Sequence, residues 1–149
     1  MPIKDDTLKL DNFLCFAVYS ANHAFNRVYK PMLDRLGLTY PQYVAMVTLW
    51  CEEGLTVGQI GDRMLLETNT LTPLLKRMET AGLVRRVRDT ADERQVRIHL
   101  TDKGRKLRED AERIPREMGL CLDCDTKALG KLTDDLANLR DKLLARVKA

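Results

Sequence analysis

Between residues 8 and 30 the apolar positions recur at intervals of three and four, the period of one face of an α-helix. The stripe consists of Leu10, Leu14, Ala17, Ala21, Phe25 and Val28. The pattern predicts a long amphipathic helix, which Pro31 and Gly37 should weaken or end.

Capping signals divide the next stretch into three helices. The first begins at Thr39-Tyr-Pro, with its proline in the first turn, where the missing N–H costs little. Thr56 can cap VGQIGDRML, and LETNTLTPLLKRMETAG follows after a short turn. Because proline disrupts a helix interior, Pro73 requires this last helix to start near residues 68 to 70. The order helix, turn, helix is therefore predicted.

Two short segments after this motif alternate apolar and polar residues, which is the period of a β-strand. They are LVRRVR (83 to 88) and QVRIHL (95 to 100), joined by the polar loop DTADER. Thr101-Asp-Lys-Gly then opens a helix to about Met118, and residues 125 to 147 form a last helix. The predicted fold is mainly α with a small β-hairpin wing, a winged helix-turn-helix.

Composition and length are those of one globular domain: 149 residues, 44% hydrophobic and 32% charged. The opening MPIKDDTLKL has no apolar segment, and no run approaches the roughly 18 apolar residues of a membrane span. We therefore expect a cytoplasmic protein without a membrane partner.

Positive charge is concentrated in one block. Residues 76 to 108 hold eleven Lys or Arg against five Asp or Glu, whereas the whole chain has a net charge of +3. Such a block is typical of a phosphate-binding surface, although a solvated charged face would have the same composition. The second helix of the motif fits the major groove of DNA. The side chains on it that can reach bases or phosphates are Thr68, Thr70, Thr72, Lys76 and Arg77. Its inward face consists of Leu71, Leu74, Leu75 and Met78.

The wing adds five arginines, Arg85, Arg86, Arg88, Arg94 and Arg97. Arg94 lies near the hairpin tip, where an arginine can enter a narrow minor groove. The structural alternative for each arginine is a surface ion pair, such as Asp92 with Arg94. The arrangement as a whole predicts binding to double-stranded DNA.

Four cysteines, at 15, 51, 121 and 124, do not suggest a disulfide framework and are judged separately. Cys15 lies beside the apolar stripe, on a strip with Tyr19, Asn22, Asn26 and Tyr29. This position favours a functional thiol over a buried structural cysteine. Cys51, in an apolar helix, is interpreted as a packing residue. The Cys121-x-x-Cys124 pair lacks a second pair or a close histidine, since His23 and His99 stand alone, so neither a metal nor any other cofactor is expected.

The stretch TLTPLLKRMETAGLVRRVRDTADERQVRIHLTDKGR resembles the winged helix-turn-helix core of the MarR family, with Asp92, Arg94, Ile98, Leu100 and Thr101 matching its wing signature. LDNFLCFAVYSA and YKPMLDRLGLTYPQY are similar to the organic-hydroperoxide resistance regulators within that family. The resemblance implies a homodimeric repressor on a pseudo-palindromic operator, inactivated when an organic hydroperoxide oxidises Cys15. It implies dimerisation helices at about 8–36 and 102–149, on either side of a DNA-binding core at about 40–101, in a single domain.

The resemblance also places Tyr29 and Tyr40, with Tyr19 as a further member, in a pocket around the thiolate. Cys121 best matches the family's resolving cysteine, with Cys124 as an unexpected neighbour that leaves the choice between them open. Tyr29 is fourteen residues beyond Cys15, about 21 Å along a helix, so the two can meet only between subunits.

The sequence is also compatible with two other functions. A MarR-type repressor can instead be released by reversible binding of a small aromatic acid. Cys15 can alternatively be the peroxidatic residue of a thiol peroxidase, in which the wing and the basic block would have no role. The peroxidase is the less favoured of the two.

Overall fold

The computed structural model of the chain describes residues 7–148, so most of the opening segment MPIKDDTLKL lies outside the described part. The chain consists of two compact units, the first ending at Ile114 and the second beginning at Pro115. The predicted class, mainly helical with a small sheet, is confirmed. Within residues 7–148, no helix combines the length and the apolar character needed to cross a membrane.

The first long helix, α1, spans Leu14–Asp34 and follows a 3-10 turn at Leu10–Asn12. It begins later than the apolar pattern predicts and passes through Pro31, which removes only one backbone donor. Gly37, with a φ of 68°, follows its end. Of the two predicted breakers, the glycine therefore marks where the chain leaves the helix.

Two helices begin where threonines cap them, as predicted. Helix α2 (Tyr40–Cys51) and helix α3 (Val57–Met64) each start with a capping box. In each box the threonine hydroxyl accepts the backbone N–H of a glutamine three residues later, and the glutamine side-chain oxygen accepts the backbone N–H of the threonine. The short strand β1 (Leu55–Thr56) lies between them and was not predicted. Two residues are too few for an alternation pattern to appear.

The turn of the helix-turn-helix is tight. Gly61 accepts a hydrogen bond from the N–H of Leu66 at 2.9 Å, and a Cβ on this glycine would lie 2.8 Å from the Leu66 carbonyl oxygen. Leu65 adopts a left-handed conformation with a φ of 56°. Helix α4 (Thr68–Thr80) follows, starting in the predicted interval, with Pro73 just after its first turn.

The wing is the predicted hairpin. Strands β2 (Val84–Arg88) and β3 (Val96–Leu100) pair antiparallel, with Val84 opposite Leu100 and Arg88 opposite Val96. β1 pairs with the other edge of β3, which gives the order β1-β3-β2. The hairpin thus joins a three-stranded sheet rather than standing alone.

The core of the first unit fixes the motif and the sheet to each other. Its largest fully buried side chains come from α2, α3, α4, the sheet and the last residue of this unit, and they are Met46, Leu49, Ile60, Leu71, Leu75, Met78, Val84, Ile98 and Ile114. Helix α5 (Asp102–Ala111) packs on α2, where the Trp50 indole N–H donates to the Gly104 carbonyl at 2.9 Å. A Cβ on Gly104 would overlap the carbonyl oxygen of Leu83, so only glycine fits there.

The predicted helix from 101 to about 118 is two helices. Helix α5 ends at Ala111, and α6 spans Ile114–Leu122. Pro115 explains the break, because it lacks an N–H and suits the first turn of a new helix. The last helix, α7 (Thr126–Val147), is capped by Asp125 and confirms the prediction.

Candidate nucleic-acid interface and thiol site

Helix α4 divides into an inner and an outer face. Leu71, Leu74, Leu75 and Met78 are buried, which confirms the predicted inner face. The outer face carries Thr68, Thr70, Lys76 and Arg77, all exposed. Thr72 is half-buried, and its hydroxyl donates to the Thr68 carbonyl at 2.8 Å. The exposed hydroxyls and cations can therefore contact a ligand laid along the helix.

The wing arginines differ in their surroundings. Arg85, Arg86, Arg88 and Arg94 are exposed, whereas Arg97 is half-buried. The Arg97 guanidinium donates to Asp89 at 2.7 Å and to the Gly54 carbonyl at 2.8 Å. Arg97 therefore ties the start of the wing loop to the segment just before β1. The alternation pattern does not reveal this role because it shows only which face a residue occupies.

Arg86 is held by the helix that precedes the wing. Glu79, in the last turns of α4, accepts the backbone N–H of Arg86 at 3.0 Å and its Nε at 3.1 Å. The backbone bond, followed by the side-chain bond, holds the pKa of Glu79 below its ordinary value. Glu79 therefore fixes β2 and the Arg86 guanidinium relative to α4.

Arg94 forms the ion pair that was considered as its structural alternative. Its Nε lies 3.2 Å from Oδ1 of Asp92, which also accepts the Arg94 backbone N–H at 3.1 Å. The side chain remains 91% exposed. The pair orients the guanidinium at the wing tip and leaves it accessible.

An open groove separates α4 from the wing. It has a volume of about 400 Å³ and begins at the first turn of α3. Its lining includes Thr68, Thr72, Arg86 and Arg94. Hydroxyl groups on one side and guanidinium groups on the other suit a polyanion whose phosphates and base edges are both within reach.

Cys15 lies in the first turn of α1 and is exposed. The preceding Phe13 provides no side-chain hydrogen bond to the first turn of this helix. The free N–H groups and the partial positive charge at a helix N-terminus favour an anion, including a thiolate. The sequence pattern, which predicts a helix from about residue 8, placed Cys15 about two turns inside that helix rather than in its first turn.

Three tyrosines meet where α1 approaches α2. The Tyr29 ring centroid lies 5.0 Å from that of Tyr40 and 5.9 Å from that of Tyr43. Burial, followed by the neighbouring phenols, raises the pKa of Tyr29, and burial, followed by Tyr40, raises that of Tyr43. The phenols of Tyr29 and Tyr43 therefore stay protonated and able to donate at neutral pH. Tyr43 was missed from the sequence, although its spacing of three from Tyr40 on a helix is a usable signal.

Tyr19 lies outside this tyrosine cluster. It is one helical turn beyond Cys15, is 63% exposed, and packs edge-on against His23 at a centroid distance of 4.4 Å. Within one chain, the structure therefore places Cys15 and Tyr19 at one end of α1 and the Tyr29 cluster towards the other.

The other cysteines are also exposed: Cys51 at the end of α2, Cys121 near the end of α6 and Cys124 before α7. The interpretation of Cys51 as a packing residue is wrong, because the last turn of α2 turns it outward while Trp50 packs on the core. Throughout residues 7–148, no three His, Cys, Asp or Glu side chains come together as metal ligands.

Two helices expose apolar side chains. The described part of α1 buries only Met32 and Leu33, which leaves most of its predicted apolar stripe uncovered. Helix α7 buries no residue. The large apolar residues exposed on these two helices are Leu14, Val18, Tyr19, Phe25, Leu132, Leu136, Leu143, Leu144 and Val147.

The fold, the outer face of α4 and the basic wing define a winged helix-turn-helix DNA-binding protein. Residues 27–111 match a family model described as transcriptional regulator SarA/Rot. The chain belongs to this MarR-like winged-helix family of transcriptional regulators. It is a DNA-binding regulator and not an enzyme.

Two relatives and one set of solved structures show the likeness. The chain is 51% identical over 143 residues to the HTH-type transcriptional regulator TtmR of Methylorubrum extorquens, covering 96% of this chain and 73% of that protein. It is 49% identical over 115 residues to the organic hydroperoxide resistance transcriptional regulator of Bacillus subtilis, covering 77% of this chain and 78% of that one.

The structures are those of AbfR of Staphylococcus epidermidis. Reduced AbfR bound to DNA has a TM-score of 0.82 at 34% identity and covers 97% of this chain and 99% of its own. Disulfide-formed AbfR has a TM-score of 0.65 at 38% identity and covers 87% and 91%.

Proposed function

We propose that the protein is a homodimeric repressor that releases its operator when an organic hydroperoxide oxidises Cys15. The observation that carries the proposal is the separation of the two parts of the thiol site along α1. Cys15 lies in the first turn, and Tyr29, with Tyr40, lies fourteen residues further on, about 21 Å away. A pocket that uses both parts needs a second chain.

The apolar surface of α1 and α7 supports such a dimer. Exposed leucines, valines and aromatic residues on a helix favour burial against another apolar surface. In a two-fold dimer the exposed apolar side of α1 is used by both subunits, so each Cys15 approaches the tyrosine cluster of the other chain. Two equivalent pockets result, each with a thiol from one subunit and phenols from its partner.

The chemistry of each pocket follows from its groups. Cys15 reacts as the thiolate, and the phenols of Tyr29 and Tyr40 donate hydrogen bonds to its sulfur. The thiolate attacks the outer oxygen of the hydroperoxide, the O–O bond breaks, and the alkoxide takes a proton and leaves as an alcohol. Cys15 becomes a sulfenic acid. The Cys121 thiol of the other subunit then displaces water from it and forms an intersubunit disulfide.

The relatives support this direction. One is a regulator of organic hydroperoxide resistance, and AbfR has both a reduced DNA-bound form and a disulfide form. A new covalent bond between subunits would change the spacing of the two winged helix-turn-helix units, one in each subunit. Units that bind successive major grooves must be about 34–36 Å apart, so a change of spacing weakens binding to a pseudo-palindromic operator.

The DNA contacts in this proposal fall into two groups. The α4 residues Thr68, Thr70, Thr72, Lys76 and Arg77 face the major groove, where hydroxyls and cations contact base edges and phosphates. The wing residues Arg86, Arg88 and Arg94 lie over the adjacent backbone and minor groove. We also place the protein in the cytoplasm, with the DNA it regulates.

The test is a gel-shift titration of operator DNA before and after cumene hydroperoxide. Cys15→Ser should bind DNA like the parent protein but stay bound after the peroxide, whereas Cys51→Ser, the matched control, should still release it. Dithiothreitol should restore binding, since the change is oxidative. Release of DNA by peroxide-treated Cys15→Ser overturns the proposal, and restoration by dilution alone favours reversible binding of an aromatic acid.

A further inference from the structure

Cys121 and Cys124 lie together at one end of a helix. Cys121 is the next-to-last residue of α6, and Cys124 follows that helix, immediately before the α7 cap. Both thiols are exposed. The proposed function uses one thiol to resolve the sulfenic acid, and the second has no role in it.

The backbone between them suits a disulfide. Asp123 adopts a left-handed conformation with a φ of 46°, and α6 ends just before it, between the two cysteines. Residues three apart across such a turn have Cα atoms within about 7 Å of each other. A disulfide bridges Cα atoms about 4.4–6.8 Å apart, a span that two residues separated by one turn can reach.

The start of α7 is held independently of the pair. Oδ1 of Asp125 accepts the backbone N–H of Lys127 at 2.8 Å and that of Ala128 at 3.0 Å. Closing a bond between Cys121 and Cys124 therefore leaves these capping bonds in place. The turn can be oxidised without breaking the helix that follows.

We propose that Cys121 and Cys124 form a dithiol relay that removes the intersubunit disulfide; this inference rests on the proposed function. The Cys124 thiolate attacks the Cys121 sulfur of the Cys15–Cys121 bond. A Cys121–Cys124 bond forms within one chain, and Cys15 leaves as a thiolate. The two electrons that reduce the hydroperoxide are then supplied by the Cys121–Cys124 pair.

Two features favour this direction of exchange. Cys124 is tethered three residues from the sulfur it attacks, which gives it a high effective concentration. The expelled sulfur belongs to Cys15 of the other chain, which is not tethered to the pair, so the reverse attack lacks this advantage. Each subunit can therefore consume one hydroperoxide and return Cys15 to its reduced form, so the intersubunit disulfide that releases DNA lasts only until Cys124 exchanges it.

A time course tests the relay in the full-length protein. The parent protein, Cys124→Ser and the control Cys51→Ser receive one equivalent of cumene hydroperoxide per subunit, and aliquots are alkylated, run on non-reducing gels and mapped by mass spectrometry. In the parent protein and the control, a covalent dimer should appear and decline while the Cys121–Cys124 peptide accumulates. In Cys124→Ser the dimer should persist at least about tenfold longer. Equal persistence in all three overturns the relay.

A second measurement separates the relay from the proposed function, because it needs neither peroxide nor Cys15. In a Cys15→Ser, Cys51→Ser background, Ellman's reagent should release two thionitrobenzoate ions per chain and leave none attached, since the second thiol displaces the group from the first. Adding Cys124→Ser should leave one group attached. Retention of the group in the background protein overturns the relay, whereas failure of the proposed function appears in the gel shift of Cys15→Ser.

Discussion

Cys15 and Tyr29 lie on the same helix, separated by about 21 Å along its axis. Tyr29 is joined there by Tyr40, at a ring-centroid distance of 5.0 Å, whereas Cys15 lies in the first turn. A helix is rigid over this length, so no rearrangement of one intact chain brings the thiol to the phenol. Oligomeric state and redox sensing are therefore linked in the proposal.

Glycines at two helical positions should respond oppositely to alanine. A Cβ on Gly104 would overlap the Leu83 carbonyl oxygen, so Gly104→Ala must displace α5 or the start of the wing. We expect it to lower the free energy of unfolding by about 1–3 kcal/mol.

Gly130 is the matched control, because it lies inside α7 and a Cβ added to it would meet no atom within 4 Å. Gly130→Ala should raise stability by about 0.5–1 kcal/mol through helix propensity. Chemical denaturation of both variants measures the difference. A neutral Gly104→Ala would show that the close approach to Leu83 is not a constraint.

Glu79 should affect DNA binding through position rather than charge. It holds the backbone N–H and guanidinium of Arg86, so Glu79→Ala frees the wing from α4. We expect operator affinity to fall by about two- to fivefold, comparable to the loss of a surface ion pair.

The sign of this effect is informative, because removing a negative charge near DNA would by itself strengthen binding. Glu93→Ala, in the exposed wing loop, makes the same change of charge without a bond to Arg86 and serves as the control. Fluorescence anisotropy with operator DNA gives both affinities. Tighter operator binding by Glu79→Ala would contradict a positioning role.

The tyrosine cluster should titrate late. Because burial and the neighbouring phenols raise the pKa of Tyr29, and burial and Tyr40 raise that of Tyr43, part of the phenolate absorbance should appear above the ordinary value of 10.0. Tyr29→Phe should reduce this late component, measured by ultraviolet titration of the folded protein. Tyr19→Phe, outside the cluster, should retain it.

The same shifts set a direction for stability. In the unfolded chain these phenols lose their protons at the ordinary value, while the folded chain still holds them. The contribution of these phenols to the free energy of unfolding is therefore fully present below pH 10.0 and is lost as the pH rises towards their raised pKa values in the folded chain. An unchanged late component in Tyr29→Phe would show that Tyr29 is not one of the late-titrating phenols.

Local signals in the sequence predicted most of the fold. Thr39 and Thr56 each cap a helix, and the alternation in 83–88 and 95–100 located the wing. These features are set by bonds and burial within a few residues, which a single sequence displays directly. The strand β1 and the break at residues 112–113 were missed because they depend on tertiary pairing and on one proline.

The candidate site was predictable only in part. The spacing of Cys15 and Tyr29 was visible in the sequence, but the packing of Tyr43 against both partners and the Glu79–Arg86 contact required the folded chain. The exposure of Cys51 shows the same limit. An apolar helix does not by itself say which of its faces the core covers.

In the proposed dimer, each thiol pocket contains Cys15 of one chain and Tyr29 of the other. Two tagged heterodimers with the same total substitutions test it. A Cys15→Ser chain paired with a Tyr29→Phe chain retains one intact pocket, whereas a chain with both substitutions paired with the parent chain retains none.

The measurement is the rate of Cys15 oxidation by cumene hydroperoxide in each purified heterodimer. We predict that the first heterodimer oxidises at close to the parent rate per remaining thiol, and that the second is slower by about tenfold or more, the loss of about one hydrogen bond to a charged sulfur. The reverse order of rates would place Cys15 and Tyr29 of one chain in the same pocket and would contradict the intersubunit pocket. Equal rates would also contradict it, because they would show that Tyr29 does not act on the thiol.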